Sequence, residues 1–175
     1  MKKIVFVGGI HGVGKTYLCN EINQELDTPH FSASELIRKQ KEEEARTVKN
    51  VTDVKGNQDA LIMAINNYVT DIPIFLLDGH FCILNKEGEI ERIPHDTFER
   101  MEIACLLVLT DDPNEIHMRL KNRDSREYPI DLLDKFQTEE LSYAKQLSET
   151  LMLPLLVHKN GEDKKKLYDF LNKHI

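Results

Sequence analysis

Residues 8–16 read GGIHGVGKT, directly after an apolar run, KKIVFV, at 2–7. Gly9, Gly14, Lys15 and Thr16 fit G-x-x-x-x-G-K-[ST]. At average composition roughly one chain in two hundred of this length matches that pattern by chance, so its context decides. The pattern needs a strand before it and a helix after it. KKIVFV is short, β-branched and stopped by glycines, as a buried parallel strand should be. TYLCNEINQEL, at 16–26, has apolar residues at helical spacing. Strand, glycine loop and helix N-terminus together form an anion cradle, because backbone N–H groups converge where the helix dipole is positive. Lys15 is then the cation at the β- and γ-phosphates of a nucleotide, and Thr16 offers its hydroxyl to Mg²⁺. Gly9, His11, Gly12, Val13, Gly14 and Tyr17 complete the expected nucleotide contacts, with His11 read as a spacer.

Outward from the loop, strands and helices alternate. PHFSAS (29–34) reads as a short strand leading to a turn, with Ser32 or Ser34 capping the helix ELIRKQKEEEA (35–45). A polar stretch, RTVKNVTDVKGN (46–57), precedes the helix QDALIMAINNYV (58–69). IPIFLLD (72–78) and ACLLVLT (104–110) are clear buried strands. The segment from Gly79 to about Pro94 reads as a long loop, and such loops are often functional. DDPNEIHMRLKNR (111–123) opens a helix, with Asp111 or Asp112 as cap and Pro113 in its first turn. A long amphipathic helix at 130–151, a last strand PLLVH at 154–158 and a closing helix at 162–175 follow. Such alternation predicts a parallel sheet with helices on both faces, in one domain spanning 1–175.

Asp78 ends the strand IFLLD. An acidic residue at the tip of a strand beside a phosphate loop faces the metal, so Thr16 and Asp78 are the candidate Mg²⁺ ligands. Aspartates also end strands with no such duty. His80, two residues on, suits either a hydrogen bond to water or acceptor, or the mere shaping of the turn. Arg119 and Arg123 are four apart and share a helix face. Planar guanidinium groups match the charge of a transferring phosphoryl group, so both are expected to close over the nucleotide, with Arg126 beyond them.

Bulk properties narrow the classes. The 175 residues are 41% hydrophobic and 30% charged, with a formal net charge of -7. That suits a soluble domain and argues against nucleic-acid binding, which rests on basic residues. Cys19, Cys82 and Cys105 are widely spaced, so neither a zinc site nor a disulfide framework is indicated. No apolar run is long enough to span a bilayer, and the expected setting is cytoplasmic. The runs RKQKEEEAR and DKKK read as solvated helix faces.

These motifs resemble the nucleoside monophosphate kinases of the P-loop superfamily, above all archaeal-type adenylate kinases and adenylate kinase-like ATPases. The likeness runs through GGIHGVGKT, HFSASELIRKQKEE, DGHFCILNKEGEIERIP, the stretch from LTDDPNEIHMRL to SYAKQL, and LLVHKNGEDKKKLYDFL. It implies a five-stranded sheet ordered 2-3-1-4-5, an ATP site at the loop, and phosphoryl transfer to an acceptor nucleotide. It implies an acceptor-binding part over about 32–70, with Ser34, Asp78 and His80 at the pocket and Arg38 gripping the acceptor's phosphate. It also implies a lid, over about 119–131, and an adenine-contacting loop containing Asn160 and Gly161; the lid departs from the family in being short, with no cysteine quartet and no inserted hairpin. The sequence departs from many adenylate kinases where a Gly-x-Pro-Arg follows the second acidic strand end. Here stand Gly79, His80 and Phe81. The expected catalytic set is Lys15, Asp78, His80, Arg119 and Arg123, and the expected ligands are ATP, Mg²⁺ and a small phosphate acceptor. Two other readings stand beside the monophosphate kinase: a kinase for a nucleoside or small metabolite, and an ATP-hydrolysing switch.

Overall fold

Five parallel strands in the order β2-β3-β1-β6-β7 form the central sheet. Counting only its own strands, that is the expected order 2-3-1-4-5. The computed structural model describes residues 2–47, 56–124 and 127–175. β1 (Lys3–Gly8) is the middle strand, and every residue after Lys3 is buried. β3 (Ile74–Asp78) and β6 (Ile103–Thr110) flank it and are nearly as apolar. Continuous apolar strands of this kind suit a sheet covered on both sides. β2 (His30–Ser32) and β7 (Leu155–Lys159) are the edges.

Helices flank the sheet. α1 (Lys15–Leu26) follows the glycine loop, and α2 (Ala33–Thr47) and α3 (Asn57–Tyr68) follow β2. α2 starts at Ala33, earlier than expected, because β2 passes straight into it. Ser34 therefore lies inside the first turn and is not its cap, and its hydroxyl meets that of Ser32 at 3.0 Å. Of the two candidate caps of α5 (Pro113–Arg123), Asp112 is the one: its side chain accepts the N–H of Asn114.

The segment from Gly79 to Pro94 is not a plain loop. It holds a small antiparallel hairpin of β4 (Cys82–Leu84) and β5 (Ile90–Arg92), turned at Gly88. A one-turn helix, α4 (His95–Glu99), follows. The hairpin rests on α6 (Ile130–Thr150), where Arg92 pairs with Glu139 and the Tyr143 hydroxyl donates to Ile93 O. Strands of three residues with mixed polarity carry too weak a period to be read from sequence. α7 (Lys165–His174) closes the chain.

Register places the site. Asp78 pairs with Val7 of β1 on one side and with Ser32 of β2 on the other. Asp78, the start of α2 and the glycine loop therefore meet at the carboxyl ends of the strands, where ligands of open α/β sheets bind.

Candidate active site

The glycine loop has the geometry its composition demands. Gly12 has φ +78° and Gly14 has φ +103°, conformations that side chains rarely adopt. A Cβ on Gly12 would also strike Leu120 Cγ at 2.7 Å. Gly14 is the N-cap of α1 and supplies no side-chain bond, and the first turn holds no acidic residue. The first N–H groups of the helix are thus left for an external anion. Lys15, 8% exposed, turns back to donate to Gly9 O at 2.8 Å and to Ile10 O at 3.4 Å. Burial lowers its pKa, against the attraction of Asp78 and Glu140.

Thr16 Oγ1 donates to Asp78 Oδ2 at 2.9 Å, and Lys15 Nζ stands 4.0 Å from Asp78 Oδ1. Burial would raise the Asp78 carboxyl, but His30, Lys15 and Thr16 outweigh it and hold the group below its ordinary value. The Thr16–Asp78 pair is a hard oxygen set of the kind Mg²⁺ accepts, since Mg²⁺ takes few protein ligands and fills its shell with phosphate and water. Among the described residues there is no cluster of three or more His, Cys, Asp or Glu side chains that could hold a metal ion.

Arg119 and Asn160 meet at the carbonyl side of the loop. Arg119 donates to Gly12 O at 2.9 Å and to Val13 O at 3.3 Å, and pairs with Asp111. Asn160 donates to Val13 O at 2.7 Å and to Asp111 Oδ2 at 2.9 Å. Asp111, 8% exposed, ties both to the carbonyl side of the loop. Sequence reasoning reached it only as a helix cap.

Glu140 was missed altogether. It is 1% exposed, on α6, and its carboxylate accepts N–H groups of Gly9 and Phe81 at 2.9 Å and of Cys82 at 2.6 Å. One side chain thus joins the start of the glycine loop to the hairpin. The signal was present: Leu133, Phe136, Tyr143, Ala144 and Leu147 form the buried stripe of α6, and Glu140 falls on it. A carboxylate in an apolar stripe needs such partners. Burial pushes its pKa up to about 7 despite them.

Two cavities open at this end of the sheet. The first, about 430 Å³, is lined by the loop and by Lys15, Thr16, Arg119 and Arg123. Arg123 also pairs with Asp124 at 2.9 Å. The second, about 270 Å³, lies between α2, α3 and α4, with Phe6, Ile37, Leu61, Ile83, Phe98 and Met101 in its wall. His11, Ser32, Ser34, Asp78 and His80 line both. The rings of His11 and His80 lie 4.3 Å apart, and burial lowers both pKa values, His80's well below the ordinary one. A larger cavity, about 580 Å³, opens at the opposite end of the sheet around Lys2, Pro73 and Glu102, away from these groups.

Six expected contacts line neither cavity at this end: Gly9, Val13 and Asn160, which lie in or against the glycine loop, and Tyr17, Arg38 and Gly161. Tyr17 is 72% exposed and lines neither cavity at this end. Arg38 is exposed on α2 and likewise lines neither. Gly161, with φ +85°, follows Asn160 in the turn after β7 but lines neither. Arg126 lies outside the described residues.

Residues 8–137 match the AAA domain family. The chain belongs to that family. The match begins in the glycine loop and runs into α6, so it takes in the loop, Asp78, His80, Arg119 and Arg123. No curated protein is significantly similar to the chain in sequence. Among solved structures, a gluconokinase from Sinorhizobium meliloti aligns over 96% of this chain and 87% of its own, at 13% identity and a TM-score of 0.50. An uncharacterized protein from Eubacterium ventriosum aligns over 100% and 98%, at 11% identity and the same TM-score. At such identity the likeness concerns the fold: a parallel α/β sheet flanked by helices.

Proposed function

We propose that this protein is a kinase that transfers a phosphoryl group from ATP, with Mg²⁺, to a small acceptor. The observation that carries the reading is the shared wall. A cationic cavity on the glycine loop and a half-apolar cavity beside it meet at Asp78 and His80. A protein that only hydrolyses ATP has no need of the second cavity. The nucleotide's phosphates belong at the loop, with Lys15, Arg119 and Arg123 as the cations. Thr16 and Asp78 would hold Mg²⁺, which when bound neutralises charge on the phosphate oxygens. Lys15 and the arginines supply positioning and charge, and no covalent intermediate with the protein is needed. Arg119 and Asn160 hold the loop from its carbonyl side, so its shape is set before the nucleotide arrives.

Residues 1–175 then form one kinase domain, with the acceptor-binding part over about 32–70 and a short lid over about 119–131. Residues 48–55 and 125–126 of these parts lie outside the described set. The monophosphate acceptor drawn from the adenylate kinase likeness gains from Ser34, which lines both cavities, and loses from Arg38, which lines neither. Cys19, Cys82 and Cys105 are free and buried, in keeping with a reducing, cytoplasmic setting. Among the described residues no helix is long and apolar enough to cross a membrane.

The test is to supply ATP, Mg²⁺ and a pool of nucleoside monophosphates, nucleosides and sugars, and to follow ADP and free phosphate separately. Acceptor binding should exclude water and favour transfer. ADP should rise well above the acceptor-free rate while phosphate does not rise in step. ADP matched by free phosphate under every condition would make the protein a hydrolysing switch.

A further inference from the structure

We propose that the acceptor is an uncharged hydroxyl compound with a part-apolar body, held by its reacting hydroxyl at His80 and by a second polar group at Thr97. This rests on the phosphotransferase reading and narrows its acceptor.

Charge supports the first half. Among the described residues no lysine or arginine lines the second cavity, and its one ionised side chain is Asp78. An anionic group seated there would face a carboxylate and a largely apolar wall with no lysine or arginine among its described lining residues, which is unfavourable. Three basic side chains on its flanks are held outside it or at its edge. Lys41 stops at the rim on Asn57 Oδ1, Lys39 lies over the Tyr68 ring, and Arg100 pairs with Asp59. Among the described residues, Lys15, Arg119 and Arg123 line the other cavity, where ATP's own phosphates need them.

Unsatisfied atoms support the second half. Among the described residues three buried side-chain polar atoms make no close hydrogen bond: His30 Nε2, which stands 3.6 Å from Asp78 Oδ2, His80 Nδ1, on a ring that the Gly9 backbone attracts, and Thr97 Oγ1. His80 and Thr97 both line this cavity. Thr97 is 2% exposed and sits beside Phe98, deep in the wall. A buried hydroxyl without a partner calls for an explanation, and a ligand group reaching it supplies one. The apolar wall between these two polar points suits a flat or aliphatic body. The volume, about 270 Å³, is near the lower end for ligand pockets and suits a small molecule.

In the transfer step the acceptor oxygen bonds to the γ-phosphorus. The bond between that phosphorus and the β–γ bridging oxygen breaks, its electron pair leaves with ADP, and the hydroxyl proton is released to solvent.

The experiment uses the full chain with ATP and Mg²⁺. Neutral acceptors are the ribonucleosides, thymidine, glucose and pyridoxine. Anionic ones are the matching nucleoside monophosphates and gluconate. Product mass identifies what is phosphorylated. At least one neutral compound should be phosphorylated, with kcat/KM tenfold or more above that of any anionic one. A monophosphate or gluconate used equally well or better overturns this inference and leaves the kinase reading standing. ATP turnover with no phosphorylated product from any compound overturns the kinase reading, and this inference with it. A second arm uses Thr97→Val, which keeps the shape and removes the hydroxyl. It should raise KM for the neutral acceptor tenfold or more without lowering the unfolding midpoint. An unchanged KM removes Thr97 from the site, and a lowered midpoint makes its hydroxyl structural.

Discussion

Glu140→Gln separates what the buried carboxylate does for function from what it does to stability. In the unfolded chain this carboxyl ionises near 4.5, and in the folded protein near 7, because burial raises it more than three N–H donors and Lys15 lower it. Below pH 4.5 both states hold the proton. Between the two values the folded state holds it and the unfolded state does not, so stability falls as pH rises. Above about pH 7 the loss is complete. The gap is worth about 3 kcal/mol, or roughly 6–12 °C in melting temperature for a chain of this size.

Glutamine does not titrate. Its amide places one acceptor oxygen and one NH₂ group where the carboxylate has two acceptors. With the oxygen kept at Gly9 and Phe81, the NH₂ group faces the Cys82 N–H, donor against donor. A protonated carboxyl has the same shortage, so near pH 5 the substitution should change stability by no more than about 1 kcal/mol. The assay is urea unfolding of both proteins from pH 5 to pH 8. The difference between them should move in favour of glutamine by most of that 3 kcal/mol as pH rises. ATP binding at pH 8 should nevertheless weaken in the variant, because the ionised carboxylate anchors the first glycine of the loop. Parallel stability curves for the two proteins would refute the reasoning, since Glu140 would then ionise alike in both states.

Lys15→Met should leave the circular dichroism spectrum unchanged while ATP affinity, measured by calorimetry, falls on the order of a hundredfold, as for loss of a buried charge-assisted contact; binding within a few-fold of wild type would remove Lys15 from the phosphate site. Arg123→Ala should lower turnover on the order of a hundredfold and move stability by less than about 0.5 kcal/mol, because its side chain is largely exposed and, among the described residues, pairs with its neighbour Asp124. Intact turnover with a large stability loss would make Arg123 a structural residue.

The parts of the site that were legible in the sequence are those built by neighbours in the chain. β1, the glycine loop and α1 are contiguous, so composition and periodicity sufficed. Asp78 was legible because strand ends are marked by where an apolar run stops, and register with Val7 then put it beside the loop. Arg119 and Asn160 were singled out separately, one from its helix spacing and one from the resemblance, and their meeting at the Gly12 and Val13 carbonyls rests on Asp111, which nothing local distinguishes from a capping aspartate. Arg38 shows the reverse. A helical arginine after SASEL is a natural phosphate ligand by analogy, yet which face of α2 meets the cavity is fixed by how Leu36 and Ile37 pack, and that leaves Arg38 outside. The second cavity illustrates the point most fully. Phe6, Leu61, Thr97 and His80 come from four separate segments, and each reads alone as core, core, helix or turn. Only their meeting shows a pocket with polar points at Thr97 and His80 and no cation among its described residues. The glycine loop is therefore written in a motif, whereas the second cavity is written in packing, and chain neighbours alone cannot reveal it.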